Sequence, residues 1–191
     1  MADPAHVALL RQGAEIWNRW RETHANVIPD VESESFVYED LSGADLSGMS
    51  FHHQVFSGAT LIGTVFDRAY LGHTDLSDVN GSQASFKNAD LTCANLYGGD
   101  FRKADFGSAV LVETTFKEAD LSEASLSGTD MSRAYLLDAV TKDVDLSGAG
   151  LEQVEGLVLQ QLLEARSLKE ASGLDSKLLD EVRRRFPDLL K

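Results

Sequence analysis

From Phe36 to Leu151 every fifth residue is large and apolar: 22 of these 24 positions are Leu, Phe or Met, and only Gly81 and Thr141 break the series. Two places before each of them the side chain is usually small. Ala44, Ala59, Ala69, Ala84 and Ala89 set this pattern, with Thr64, Thr74, Thr114 and Thr129 as variants. The other three positions of each unit are mostly polar. A period of five matches neither the 3.6 of a helix nor the 2 of a strand, so no straight element can bury it. The chain must turn every five residues. With one large and one small side chain per unit pointing inward, four units close a square, and stacked squares cover one another's apolar rungs and satisfy one another's backbone groups. Each Leu or Phe contributes about 1.5–3 kcal/mol of burial before entropy is subtracted. The pattern predicts an all-β solenoid of about six coils, about 28 Å long at the usual strand spacing. The phase does not slip, so no loop is expected to project between residues 36 and 153.

A stacked solenoid exposes apolar rungs at its ends and needs caps. Asp3-Pro4 reads as a helix start, with Val7, Leu10, Ala14, Trp17 and Trp20 at helical spacing through about Glu22. Packing on the first coil is the expected use of the two tryptophans, with a partner surface as the alternative. After Gly156, residues 157–170 read as one helix. A second begins at Asp175, carries Leu178, Leu179, Val182 and Phe186, and stops at Pro187. The expected organisation is an N-terminal helical cap and linker over 1–35, the solenoid over 36–155 and a C-terminal helical cap over 156–191. The C-terminal helices are expected either to cap the rod or to pair two copies as a homodimer.

Ala44-Asp45-Leu46-Ser47-Gly48, Ala89-Asp90-Leu91-Thr92-Cys93 and Ala119-Asp120-Leu121-Ser122-Glu123 resemble the repeating unit of the pentapeptide-repeat family, and such units fill about two thirds of the chain. The resemblance implies a right-handed quadrilateral β-helix with four pentapeptides per coil, here with α-helical caps at both ends. Family members that protect bacterial DNA gyrase are acidic rods that occupy the DNA-binding saddle of the enzyme. This sequence is similar to them in charge and length. It departs from those that carry projecting loops, and it adds the N-terminal helix.

Charge sharpens that comparison. The 191 residues carry 17 Lys and Arg against 31 Asp and Glu, a net charge of −14, which argues against direct contact with nucleic acid. The solenoid holds most of it: 7 basic and 19 acidic residues give −12 over 36–155, against −3 for 1–35 and +1 for 156–191. Spread over the expected rod, this is about one charge per 2.3 Å, comparable with about one per 1.7 Å of duplex DNA. The specific expectation is therefore an acidic DNA mimic that binds a protein partner, DNA gyrase or another type II topoisomerase. Its candidate acidic surface comprises Asp45, Asp75, Asp90, Asp100, Asp105, Asp120 and Asp130. The competing explanation is that Asp before each large residue merely bonds to nearby backbone in the turns. Grouping whole pentapeptides by their spacing of 20 gives faces of −3, −2, −3 and −4, none conspicuously acidic.

Residues 20 apart stack in such a coil. One column then holds His53, His73, Cys93 and Glu113, about 4.8 Å apart. Two imidazoles and a thiol at that spacing are a candidate zinc set, His53, His73 and Cys93, although parallel side chains on a flat face do not converge; a surface ladder without metal is the preferred expectation, and no cofactor is expected. Cys93 would be reactive if a neighbouring imidazolium lowered its pKa. A second constellation, Tyr97, Val110, Val112, Tyr135 and Leu137, is apolar and faces outward. It is either a contact patch for a scaffold or signalling role, or the seat of a folded-back C-terminal segment. Gly81 and Thr141 should leave a void or bend unless Val79 or Val144 compensates.

No GxxxxGK[ST], HExxH or GxSxG sequence occurs, and a rod offers no obvious cavity for chemistry, so the expectation is a protein that is not an enzyme. No apolar run approaches membrane-spanning length, no secretion signal is readable at the start, and the single cysteine suits a reducing compartment. Together these predict a cytoplasmic location.

Overall fold

The computed structural model describes residues 2–32 and 34–191. Between Ser35 and Glu155 the chain is a right-handed quadrilateral β-helix. Its rungs are single-residue parallel bridges between positions 20 apart, from Ser35↔Val55 to Tyr135↔Glu155. Every large core residue donates its backbone N–H to the coil beyond, as from Leu46 to Val65 at 2.8 Å, and each bridging residue donates back, as from Val65 to Ala44 at 2.9 Å. A turn closes each unit, as from Ala44 N–H to the Leu41 carbonyl at 3.1 Å.

The turns explain why side chains alone do not set the shape. Third residues of the units, from Tyr38 to Gln153, all have positive φ, while the second residues do not, which is the type II turn. Glycine supplies that conformation at Gly43, Gly48, Gly58, Gly63, Gly98, Gly128 and Gly148. Elsewhere, stacking of the core holds ordinary side chains there. The interior is a column of rings: Phe66, Phe86 and Phe106 stack at 5.1 and 4.8 Å with planes 4° apart. Thr64, Thr74 and Thr114 occupy small-residue positions by donating to the carbonyls of Leu41, Phe51 and Leu91, each at 2.8 Å.

The two expected core defects are filled. A Cβ built on Gly81 would lie 2.9 Å from the Phe101 ring and one on Gly99 2.5 Å from it, so that ring occupies the room both glycines leave. Thr141 is buried and donates to the Gln161 carbonyl at 3.0 Å, and Val79 and Val144 are buried beside these positions.

Four faces follow from the bridge columns. Face I runs from Ser35 through Asp75 to Glu155, face II from Asp40 to Val140, face III from Asp45 to Asp145 and face IV from Ser50 to Gly150.

The caps depart from expectation in two places. Instead of one N-terminal helix there are two, α1 (Pro4–Leu10) and α2 (Ala14–Thr23), because Gly13 at φ +99° breaks the run. Asp3 caps α1, its carboxylate accepting from Ala5 N–H. Trp17 of α2 is fully buried. Its indole donates to the Asp45 carbonyl at 2.7 Å, and the Asn18 amide accepts from Asp45 N–H at 2.8 Å while donating to the Gly43 carbonyl at 2.9 Å. These side chains take the part of the missing coil below face III.

At the other end the expected helix over 157–170 shrinks to α3 (Leu159–Glu164). Residues beyond it return to the sheet, with Ser167 bridging Asp145 and Ser172 bridging Gly150. The spacing there is 22 rather than 20, the surplus being absorbed at α3. Helix α4 (Ser176–Arg185), capped by Asp175, and a short 3-10 turn (Pro187–Leu190) close the end. Among the described residues no helix is long and apolar enough to cross a membrane.

Candidate binding surfaces of the rod

All nine aspartates that immediately precede a member of the every-fifth-residue series between Phe36 and Leu151 serve a turn. Asp40, Asp45, Asp75, Asp90, Asp100, Asp105, Asp120, Asp130 and Asp145 each accept, through one carboxylate oxygen, the backbone N–H two residues on, at 2.9–3.1 Å. The local explanation of these residues therefore holds. It does not discharge them, since the bond favours the ionised form. The Ser42 hydroxyl and backbone bonds hold Asp40 below the ordinary carboxylate pKa, and the Arg102 side chain does the same for Asp100.

Several candidate acids are paired. Arg102 lies 2.6 Å from Asp100 and 3.9 Å from Asp120, Lys87 2.9 Å from Asp105, and Arg21 3.8 Å from Asp45. Among the described residues Asp75, Asp90 and Asp130 have no ion pair.

Geometry also corrects the assignment of charge to faces. Each corner falls between the second and third residues of a unit, so the third side chain emerges on the following face. Divided there, residues 36–155 carry −1 on face I, −5 on face II, −4 on face III and −2 on face IV. Asp78, Glu118 and Asp138, third residues all, make face II the most acidic.

The histidine column exists but does not converge. His53 and His73 stack face to face, centroids 4.9 Å apart and planes 15° apart, and the Cys93 thiol donates to Glu113 at 3.6 Å instead of turning to them. Each sits at a corner with φ near +58°, so the side chains leave the rod in parallel. Among the described residues no group of three or more His, Cys, Asp or Glu could hold a metal ion, which removes His53, His73 and Cys93 as a zinc set. Nor is the thiol activated: burial and the Glu113 carboxylate push its pKa up, opposite to the direction a reactive cysteine needs.

The apolar constellation is rearranged. The C-terminal segment does not cover Tyr97, Val110, Tyr135 and Leu137, which are exposed, while Val112 is half-buried. They do not form one patch. Lys117 stands between Tyr97 and Leu137 in their column, its ammonium 5.8 Å from the Tyr97 ring, and the Tyr97 hydroxyl donates to Glu118 at 2.8 Å. Val110 is bridged by Asp90 and Asp130. Leu137 instead lines a groove with Val140 and Val158, two exposed residues outside that constellation. Val140 was visible in principle: its column reads Asp40, Thr60, Asn80, Asp100, Asp120, Val140.

Square coils, five-residue units and turn-serving aspartates define a class, the pentapeptide-repeat β-helices. The sequence profile described as pentapeptide repeats matches eight copies over residues 40–72, 65–102 and 100–137, more than half of the chain, and the protein belongs to that family. No curated protein matches. Among solved structures it is similar to HetL, a pentapeptide repeat protein involved in heterocyst differentiation regulation in the cyanobacterium Nostoc. The two are 26% identical, over 81% of this chain and 68% of HetL, with a TM-score of 0.50. A pentapeptide repeat protein of the Arabidopsis thaliana thylakoid lumen is 23% identical over 67% of this chain and 74% of its own, TM-score 0.47. Full-length QnrB1, a plasmid-mediated fluoroquinolone resistance protein, is 18% identical over 79% of this chain and 96% of its own, TM-score 0.41. These last two likenesses are of fold alone.

Proposed function

We propose that the protein acts by binding, not by catalysis, and that faces II and III form an acidic surface that competes with duplex DNA for the basic groove of a DNA-handling protein. The observation that carries this reading is the distribution of charge: nine of the twelve net negative charges of the solenoid lie on two adjoining faces. A basic groove attracts such a surface at long range, and orientation follows from the two weaker faces turning away. Side chains that leave flat faces in parallel, as His53, His73 and Cys93 do, support the non-enzymatic part of the reading. Type II topoisomerases, and DNA gyrase first among them, are the partners to try because of the family resemblance.

The test is gyrase supercoiling of relaxed plasmid with the protein titrated in, expected to fall in the micromolar range and to recover with added salt. Charge can be removed without disturbing turns, because Asn80 and Asn95 already accept the turn N–H in this chain. Asp40→Asn, Asp120→Asn and Glu118→Gln together should weaken inhibition several-fold. Unaltered supercoiling throughout, or an equally potent neutralised variant, would remove the mimic.

A further inference from the structure

Large apolar side chains are exposed on several coils, among them Val55, Ile62, Tyr70 and Tyr97, and three fall close together in sequence on the outer surface of the last full coil. Three positions there that are mostly polar or charged elsewhere in their columns are large and apolar. Tyr135 follows Asn95 and Thr115, Leu137 follows Lys117, and Val140 stands alone among Asp, Thr and Asn. None is needed by the core, since all three point out and are 43%, 48% and 45% exposed. Val158, 52% exposed, continues the same surface onto the approach to α3.

Between the coil and α3 this surface sinks into a groove of about 330 Å³ with a floor of Leu137, Ala139, Val140, Gly156 and Val158. Its walls are fixed. The buried Gln161 side chain donates to the carbonyls of Leu136 and Ala139 at 2.8 and 3.0 Å and accepts from Val158 N–H at 2.8 Å. Gly156, at φ +73°, presses against the Leu137 backbone where a Cβ would come within 2.5 Å of the Leu137 nitrogen. The charged residues lining the groove are Asp138 and Glu164, with no lysine or arginine among them. Glu118 and Asp120 lie on the coil above. Of the nearby cations, Lys117 is engaged by Glu118 at 3.4 Å, and Lys142 lies past Val140 at the next corner.

An apolar floor flanked by Asp138 and Glu164, which make no ion pair among the described residues, selects a ligand of matching chemistry. We infer that this groove docks a segment of a partner protein that presents a large apolar side chain flanked by arginine or lysine. The site goes beyond the acidic competitor proposed above and does not depend on it.

The repeat provides its own controls. Tyr135→Thr, Leu137→Ser and Val140→Asp each install a residue that the same column holds elsewhere, at Thr115, Ser77 and Asp120, so the triple variant should keep the wild-type melting temperature. Two fluorescein-labelled peptides serve as probes, a central Phe-Leu flanked on each side by two arginines, and the same peptide with glutamines. Fluorescence anisotropy should show saturable binding of the arginine peptide to the wild-type protein, about tenfold tighter than the glutamine peptide, and at least about a tenfold loss in the triple variant. That variant is more acidic than the wild type, so attraction by charge alone predicts the reverse. Asp138→Asn with Glu164→Gln should close most of the gap between the two peptides while leaving glutamine-peptide binding alone. The proposal is overturned if the triple variant binds the arginine peptide as well as the wild type does, if the double variant preserves the gap, or if no binding appears below about 100 µM. Self-association that the triple substitution abolishes, read by sedimentation, would also overturn it by giving the groove to a second copy.

Discussion

The two ends of the rod solve one problem by different means. Below the first coil, the edge of face III meets a helix, and side chains stand in for a neighbour's backbone: Trp17 and Asn18 satisfy Gly43 and Asp45, while the Arg21 guanidinium donates to the Ser47 carbonyl at 2.8 Å. Beyond the last coil the chain itself provides the neighbour. Leu146, Gly148 and Leu151 donate to the carbonyls of Ser167, Lys169 and Ser172 at 2.7–3.0 Å, the bonds a further coil would make. Residue identity should therefore matter sharply at the N-terminal end and little along the C-terminal rungs, apart from Gln161.

That contrast can be broken by substitution. The largest effect is expected for Trp17→Ala, which removes a fully buried ring and its bond to Asp45 and should cost about 3–5 kcal/mol in urea unfolding. Gln161→Ala, the one C-terminal side chain acting as the N-terminal ones do, should cost about 1–3 kcal/mol by the same measurement, because it leaves buried backbone groups unpaired. Asn18→Ala removes a two-way bond at a partly exposed edge, for which about 1–2 kcal/mol is expected, with faster exchange at the Asp45 amide. Lys169→Ala keeps its rung and should fall within about 0.5 kcal/mol of the wild type. A loss as large as that of Asn18 would show that the C-terminal end is not backbone-borne.

Acid provides the mildest probe. Asp40 and Asp100 have folded pKa values below their unfolded ones, so the stability they confer is present above the ordinary carboxylate value and lost as pH falls through the lowered one. Melting temperature should be flat above about pH 5 in this respect and decline below about pH 4. Asp40→Asn should flatten part of that decline.

How much of this was legible in sequence follows from which groups repeat. The solenoid was readable because one constraint, a large side chain inward at every fifth residue, recurs from Phe36 to Leu151. Val31, five residues earlier, continues the phase and is buried, but a single unit is no period. The caps were less readable. Leu10 and Ala14 keep helical spacing across Gly13, which hid the break. Leu162, Ala165 and Leu168 lie three apart, which imitated a helix where the chain returns to the sheet. Spacing gave the His53–His73 distance correctly, but not the direction in which a corner aims its side chain. The charge on faces II and III was hidden because a sequence unit ends one residue past the corner it makes. Sharing a column does not bring Tyr97 to Leu137, because Lys117 stands between them, whereas Val140 follows Tyr135 and Leu137 along one coil.

The change of spacing from 20 to 22 between Asp145 and Ser167 bears on how such a rod stays finite. A uniform coil ends in a copy of its own beginning, and molecules with matching ends can join into a thread of indefinite length. Here the final rungs are out of step with the first and are overlaid by α4, while α2 lies across the opposite edge. End-to-end joining of such rods is thus opposed by geometry.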